Sequence, residues 1–176
     1  PTLLWSDLSN PFVWMVMFAT VAFGSIGFAD DYIKIVKKQN LGLTSLQKLV
    51  LQFVVSAVIA VWLVWLQGVG YYSTRLMVPF VKGFKPNLII DRLQNVPHMW
   101  WIAFLPFIVF VMLVITFSSN AVNLTDGLDG LAIGCTIIAA GALTVLTYVS
   151  GHVVFADYLE LQRMPAVSEL TIFCGA

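Results

Sequence analysis

Long runs of apolar residues alternate with short polar segments along this chain. Four runs, at 12–29, 49–70, 99–118 and 131–150, each reach about 20 residues, the length that a helix needs to cross a bilayer. A fifth apolar run begins near Leu170. Because backbone groups in lipid must bond within their own segment, such runs predict helices. We therefore predict an all-α, polytopic transmembrane helix bundle with four full spans and the start of a fifth.

Proline positions refine this picture. Pro106 lies inside the third run and predicts a kink there, since proline lacks a backbone N–H and clashes with the preceding turn. The polar segment 71–98 contains three prolines and two short apolar pieces, which predict a small hairpin or a segment that lies on the membrane surface. The segment 151–165 is predicted to be a polar connection to the fifth run.

Composition supports the same class of protein. The chain has 176 residues, of which 60% are hydrophobic and only 10% are charged. Soluble domains have closer to about a quarter of their residues charged. The formal net charge is +0, so nothing predicts nucleic-acid binding. We predict a single membrane-embedded domain over residues 1–176. Because no initiator Met is present and an apolar run begins just before the last residue, we expect an internal fragment of a longer protein, without its N- and C-terminal helices.

The segment 120–132, with the sequence NAVNLTDGLDGLA, carries polar residues between two apolar runs. Asn123, Asp126 and Asp129 follow one another at i, i+3 spacing, so a helical turn would place them on one face. Gly127 and Gly130 leave room for a ligand or for backbone beside each Asp. The segment has no Lys or Arg, and a hard divalent cation is the positive partner that carboxylates favour. The alternative is that one Asp only caps the helix that follows.

A second acidic cluster, DDYIK over 30–34, lies at the end of the first run. Adjacent residues on a helix point about 100° apart, so we expect Asp30 and Asp31 to face one partner only if the backbone unwinds. The alternative is an ordinary ion pair between Asp30 and Lys34, at the favourable i, i+4 spacing. Two carboxylates near a helix C-terminus oppose the helix dipole, and this favours a cation or phosphate site.

Two full spans separate the segments 30–34 and 120–132, so both are predicted at the same face of the membrane. Four acids and Lys34 at one face are groups that metal-assisted phosphoryl transfer uses. A divalent ion bridges diphosphate oxygens, a lysine neutralises charge, and a carboxylate positions or deprotonates the attacking group. Because this chemistry would occur at a bilayer surface, we expect one substrate to be a lipid.

Basic residues indicate the orientation of the chain only weakly. Four lysines lie on the acid-bearing face and five basic residues on the other, namely Lys34, Lys37, Lys38 and Lys48 against Arg75, Lys82, Lys85, Arg92 and Arg163. The compact lysine cluster beside a span favours the acid-bearing face as the cytoplasmic one. Lys48 could meet a phosphate, although a lysine that snorkels to the interface is the more frequent case.

The DDYIK segment resembles the DDxxK motif of the polyprenyl-phosphate N-acetylhexosamine-1-phosphate transferases. The 120–132 segment is similar to the form found in the muramoyl-pentapeptide branch of that family, and so is the opening PTLLWSDLSNP. The resemblance covers essentially the whole chain and implies a larger helix bundle in the bacterial inner (cytoplasmic) membrane, with its active face cytoplasmic. It implies transfer of phospho-MurNAc-pentapeptide from UDP-MurNAc-pentapeptide to undecaprenyl phosphate, which gives lipid I and UMP in peptidoglycan synthesis, with Mg²⁺ as cofactor.

The resemblance also assigns roles to residues. Asp30 would act on the lipid phosphate, with Asp31 as its neighbour in the catalytic site, and Lys34 would meet phosphate. The substrate-binding residues would be Asn123, Asp126 and Asp129, with the two acids as candidate metal ligands. In this family the main metal ligand belongs to a later motif that this chain lacks, so we expect the chain alone to be inactive. A homodimer is one expected assembly.

Two other functions stay open on the sequence alone. A transferase of the same family that uses another UDP-sugar, such as UDP-GlcNAc, would share both motifs, and a substrate panel would distinguish it. A cation transporter would place acids along an ion path near the bilayer midplane. The two acidic clusters here lie at the ends of spans on one face, which favours chemistry at the membrane surface.

Overall fold

The computed structural model of the chain describes residues 1–38, 42–77, 81, 84–94, 96, 100–125 and 130–176. In chain order, its α-helices are α1 (Thr2–Trp5), α2 (Pro11–Lys37), α3 (Ser45–Gly68), α4 (Asp91–Gln94), α5 (Trp100–Ala103), α6 (Leu105–Thr125), α7 (Leu131–Gly151), α8 (Val153–Tyr158) and α9 (Leu170–Gly175). A 3₁₀ helix, Pro165–Glu169, directly precedes α9. In these ranges the only β-type pairing is one antiparallel bridge between Arg75 and Asn87. The predicted all-α class is confirmed.

Within the described ranges, four helices are long and apolar enough to cross a membrane, namely α2, α3, α6 and α7. They contain 27, 24, 21 and 21 residues. At about 1.5 Å per residue, even the shortest can span the ~30 Å of hydrocarbon in a bilayer. The prediction of four full spans is confirmed, and the chain is a multi-pass membrane protein. The helix α9 begins at Leu170, where the sequence predicts a fifth apolar run.

Capping residues determine where α2 and α3 begin. The Asn10 side chain accepts a hydrogen bond from the Phe12 N–H at 2.9 Å and donates one to the Ala166 carbonyl at 2.6 Å. The Thr44 side chain accepts from the Gln47 N–H, and the Gln47 side chain accepts from the Thr44 N–H, which together form a capping box. Both α2 and α3 therefore start at a polar residue that satisfies free N–H groups directly before an apolar run.

The helix α3 packs between α2 and α6. Its apolar contacts are concentrated near its C-terminus, in a core cluster of Phe12, Met15, Ile59 and Leu66. Near its N-terminus the contact with α6 is polar, and Gln52 is only 2% exposed there. By contrast, α7 has no buried residue and packs mainly against α9 and the 3₁₀ helix.

We call one end of the bundle the motif end. The helices α2 and α6 finish there, and α3 and α7 begin there. The motif end includes Asp30 near the end of α2 and Asn123 near the end of α6. From Pro11 to Asp30, α2 rises by about 30 Å, so the acids lie one hydrocarbon thickness from the start of the helix. This geometry agrees with the prediction that both polar segments lie at one face.

The third span differs from the expected kinked helix. Phe104 separates α5 from α6, and Pro106 is the second residue of α6. The helix therefore breaks and restarts, because proline is compatible with the first turn of a helix but not with its interior. The connection 151–165 also differs from a plain polar loop, since it contains α8.

The segment 71–98 contains the hairpin-like pairing that the sequence offers as one alternative. Besides the bridge between Arg75 and Asn87, the Leu76 N–H donates to the Pro86 carbonyl at 2.9 Å. The short helix α4 follows this pairing. The polar segment therefore folds back on itself at the end of the bundle opposite to the motif end.

Candidate active site

Lys34 holds the acidic cluster of α2 together. Its Nζ lies 2.8 Å from Asp30 Oδ2 and 3.0 Å from Asp31 Oδ1. The Asp30 side chain is 14% exposed, whereas that of Asp31 is 73% exposed. The second oxygen of Asp30 accepts a hydrogen bond from the Leu43 N–H at 2.8 Å. Asp30 is therefore fixed through both oxygens, and Asp31 faces solvent.

The expectation that Asp30 and Asp31 can share a partner only in an unwound backbone is wrong. The helix α2 continues to Lys37, and Lys34 contacts both acids because positions three and four residues apart lie on one helix face. The ion pair between Asp30 and Lys34 is present, and it belongs to a three-residue cluster. The positive charge of Lys34 also offsets two carboxylates at the helix end where the dipole is negative.

The chain returns to Asp30 directly before α3 begins. A Cβ built on Gly42 would overlap the Asp30 carboxylate and would lie 2.7 Å from the Asp30 carbonyl oxygen. Only a glycine allows the backbone to come this close. The same approach brings the Leu43 N–H to Asp30, so the conformation before α3 and the position of the acid depend on each other.

Lys48 of α3 links the two polar segments. Its Nζ donates a hydrogen bond to Asn123 Oδ1 at 2.9 Å, and its charge interacts favourably with Asp30. Asn123 belongs to the 120–132 segment and Asp30 to the DDYIK segment. Three helices thus contribute polar side chains to one place at the motif end. Lys48 is half-buried and hydrogen-bonded, and its contact with a phosphate stays a prediction.

A cavity of about 260 Å³ lies beside Lys48. One side of it is apolar and comes mainly from α2, and the other side is polar and comes from α3 and α6. The lining residues are Phe23, Ile26, Gly27, Lys48, Gln52, Ser119, Val122 and Asn123. A cavity with a cationic group at a membrane edge and an apolar wall suits a ligand with an anionic head and a hydrocarbon chain.

Asp126 and Asp129 lie outside the described residues, so their predicted roles stay predictions. The flanking residues are described: α6 ends at Thr125, and α7 begins after Gly130, which has a φ of +78°. Gly130 is the N-cap residue of α7, and the alternative in which an Asp only caps this helix falls on residues outside the described ranges. Thr125 donates to the Val122 carbonyl at 2.8 Å and therefore uses its hydroxyl within its own helix.

The described residues do not by themselves form a metal site. No group of three or more His, Cys, Asp or Glu side chains suited to a metal ion occurs in the described ranges. Asp30 and Asp31 are both paired with the Lys34 ammonium. Within this chain, Asp126 and Asp129 remain the predicted metal ligands, and both lie outside the described residues.

The spacing of polar residues in α3 indicates that Lys48 belongs to a polar helix face. Lys48, Gln52 and Ser56 are spaced at i, i+4 and i+8, so they lie along one face of the helix. A row of polar residues on one face of an otherwise apolar span predicts a contact with another polar row. The sequence does not reveal which helix supplies that second row.

Comparison with known proteins defines the family. The profile of the family described as "Glycosyl transferase family 4" matches residues 13–167. The match extends from α2 into the 3₁₀ helix, and it includes all the site residues described above. The chain belongs to glycosyl transferase family 4. This family assignment agrees with the resemblance carried by the two polar segments.

Curated relatives are similar over the whole chain. The chain is 70% identical to the phospho-N-acetylmuramoyl-pentapeptide-transferase of Acidobacterium capsulatum and 64% identical to that of Koribacter versatilis, each over 176 residues. It is 52% identical to the protein of the same name from Solibacter usitatus. These matches cover 100% of this chain but only 46% of the Koribacter protein and 47% of the other two. The chain spans about half the length of the curated relatives it matches.

Proposed function

We propose that the protein containing this chain transfers phospho-MurNAc-pentapeptide from UDP-MurNAc-pentapeptide to undecaprenyl phosphate. The products are lipid I and UMP, and the reaction belongs to peptidoglycan synthesis. The names of the curated relatives support this activity. We place the protein in the bacterial inner membrane, with the motif end at the cytoplasmic face, where a soluble nucleotide-sugar is available.

The hydrogen bond between Lys48 and Asn123 is the observation that best supports the proposal. It brings the segment assigned to the nucleotide-sugar next to the acids assigned to the lipid phosphate. Phosphoryl transfer requires both substrates to meet with their reacting atoms about 3–3.5 Å apart. A site in which α2, α3 and α6 converge at one membrane edge meets that requirement better than acids distributed along a span.

In the proposed reaction, an oxygen of undecaprenyl phosphate attacks the sugar-linked phosphorus of the UDP-sugar. A P–O bond forms to the lipid phosphate, and the P–O bond to UMP breaks, so UMP leaves with the electron pair of that bond. Asp30 accepts any proton on the attacking phosphate, and Asp31 lies beside it. Lys34 and Lys48 offset the negative charge of the phosphates. Such electrostatic stabilisation supplies most of the catalysis in phosphoryl transfer.

The nucleotide-sugar is assigned to the 120–132 segment. Asn123 would contact it together with Asp126 and Asp129. We retain Mg²⁺ as the proposed cofactor with these two acids as ligands, since the ion would offset the charge that the diphosphate brings to an acidic site. No step of the reaction is derived through the ion.

The test is an assay of UMP release by the full-length protein with undecaprenyl phosphate and UDP-MurNAc-pentapeptide. Asp30→Asn and Asp126→Asn should each lower turnover by about 10²–10⁴-fold, the usual contribution of a positioned acid or base. Asp91→Asn is the matched control, because Asp91 is an exposed acid in α4 that accepts a bond from Asn87, and asparagine can still accept that bond. Its turnover should stay within about twofold of the parent.

Two results would contradict the proposal. An Asp30→Asn protein with more than about a tenth of the parent turnover would remove Asp30 from the reacting set. Equal turnover with UDP-GlcNAc in place of UDP-MurNAc-pentapeptide would favour the other UDP-sugar transferase. Elution of each variant as the same detergent-stable particle would establish that the fold is retained.

A further inference from the structure

Polar side chains form a continuous row in the contact between α3 and α6. Gln52 uses both ends of its carboxamide: its Nε2 donates to Ser119 Oγ at 3.2 Å, and its Oε1 accepts from Asn120 Nδ2 at 2.7 Å. One turn further into the membrane, the hydroxyls of Ser56 and Thr116 lie 3.3 Å apart, and both residues are 0% exposed. The row is therefore internally hydrogen-bonded; Gln52, Ser56 and Thr116 are buried in it, and Ser119 and Asn120 are half-buried.

The hydrogen bond between Lys48 and Asn123 is the outermost contact of the same row. Because α3 and α6 run antiparallel, successive turns of α3 meet preceding turns of α6. The residues of this polar row are Lys48, Gln52 and Ser56 on α3, and Asn123, Asn120, Ser119 and Thr116 on α6. Gln52 is its central member and lies one helical turn from Lys48.

Such a row determines how two membrane helices are placed against each other. Apolar side chains give little preference for one rotation, since lipid tails are as apolar as the helix surface. A buried amide is different, because it has few partners in hydrocarbon and is costly when unsatisfied. A shift of α6 by one residue would turn its side chains by about 100° and would separate Gln52 from both of its partners.

We propose that Gln52 is a positioning residue for the transfer reaction. By fixing the rotation and depth of the last turns of α6, it holds Asn123 on Lys48 and sets where the 120–132 segment begins relative to Asp30. The inference rests on the proposed function for its kinetic consequence. Its structural consequence, a fixed placement of the end of α6 against α3, is measurable without any substrate.

The kinetic test uses the full-length protein with Gln52→Leu, and with Ser56→Ala as the matched control. Both changes remove hydrogen bonds from the same buried row, but only the first removes the contacts next to the site. In Gln52→Leu we expect kcat at saturating substrates to fall tenfold or more, while Ser56→Ala stays within twofold. Similar detergent stability of the two variants would separate this loss from a general loss of packing.

A rescue experiment tests the geometry of the contact. Gln52→Asn shortens one side of the amide pair by one methylene, and Asn120→Gln lengthens the other side by the same amount. The kcat of the double variant should be at least fivefold higher than that of Gln52→Asn alone, as expected for two groups in direct contact. No recovery would overturn the direct role of the amide pair.

The third measurement is the distance between spin labels at Val50→Cys on α3 and Leu124→Cys on α6, in a background without Cys135 and Cys174. Both labelled positions are exposed. The distance distribution should broaden or shift in Gln52→Leu and stay unchanged in Ser56→Ala. A full-length parent without transferase activity would refute the proposed function, while this distance change would still support the placement of α6 by Gln52. An unchanged distribution together with a kcat within twofold of the parent would overturn the inference.

Discussion

Replacement of Lys48 by methionine should weaken the proposed reaction more than replacement of any exposed lysine nearby. Methionine has a similar length and no charge, so Lys48→Met removes the hydrogen bond to Asn123 and the charge that faces Asp30. Hydrogen bonds that involve a charged group contribute about 1.5–3 kcal/mol. At about 1.4 kcal/mol per factor of ten, this corresponds to a loss of roughly 10- to 150-fold in kcat/KM.

The assay is UMP release by the full-length protein, with Lys37→Met as the control. Lys37 is an exposed lysine in the last turn of α2, at the same end of the bundle. Its replacement should leave kcat/KM within about twofold, since exposed charges usually contribute little. Lys48→Arg should retain more activity than Lys48→Met, because it keeps a cation near the phosphates. A Lys48→Met protein with the same kcat/KM as the Lys37→Met control would refute the link that Lys48 makes between the two segments.

Three further predictions concern the orientation of the chain in the membrane, the close contact of Gly42 with Asp30, and the activity of the 176-residue chain by itself. In intact cells and in a background without native cysteines, Lys38→Cys should be protected from an impermeant thiol reagent, whereas Lys85→Cys should react with it. Equal reaction at both positions would contradict the proposed orientation. Gly42→Ala should lower kcat/KM by about tenfold or more, because its Cβ displaces Asp30 from the charged hydrogen bond with Leu43. Gly24→Ala is its control, since a Cβ there meets nothing within 4 Å, and equal activities of the two variants would exclude the clash as a cause. The 176-residue chain expressed alone should make no lipid I with radiolabelled UDP-MurNAc-pentapeptide and millimolar Mg²⁺, and clear product would show that its own residues suffice.

The order and number of spans could be predicted from the sequence because they depend on local properties. A run of about 20 apolar residues predicts a crossing whatever its neighbours are. The caps of α2 and α3 are local as well, since Asn10 and Thr44 each accept a hydrogen bond from an N–H in the first turn of the helix that follows. Counting crossings between the segments 30–34 and 120–132 was also enough to predict that they share an end of the bundle.

Contacts between side chains of neighbouring residues were predicted only in part. The pairing of Asp30 with Lys34 follows from helix spacing. The second contact, with Asp31, does not follow from the angle of about 100° between adjacent residues. A long lysine side chain has enough reach to contact positions three and four residues away at once. The break at Phe104 was also expected in milder form, as a kink, because the sequence shows where a proline lies but not whether the helix continues through it.

The tertiary structure decided which polar rows meet. The sequence shows Lys48, Gln52 and Ser56 on one face of α3, but the partner of that face depends on the rotation of each helix about its own axis and on which helices are neighbours. Both are set by packing between segments that are 60 to 75 residues apart in the chain. Hydropathy averages over all sides of a helix, so it carries no information about that rotation. For this reason the sequence could determine which end of the bundle is polar, whereas the contact of Lys48 with Asn123 and the central position of Gln52 were decided only by the assembly of α3 against α6.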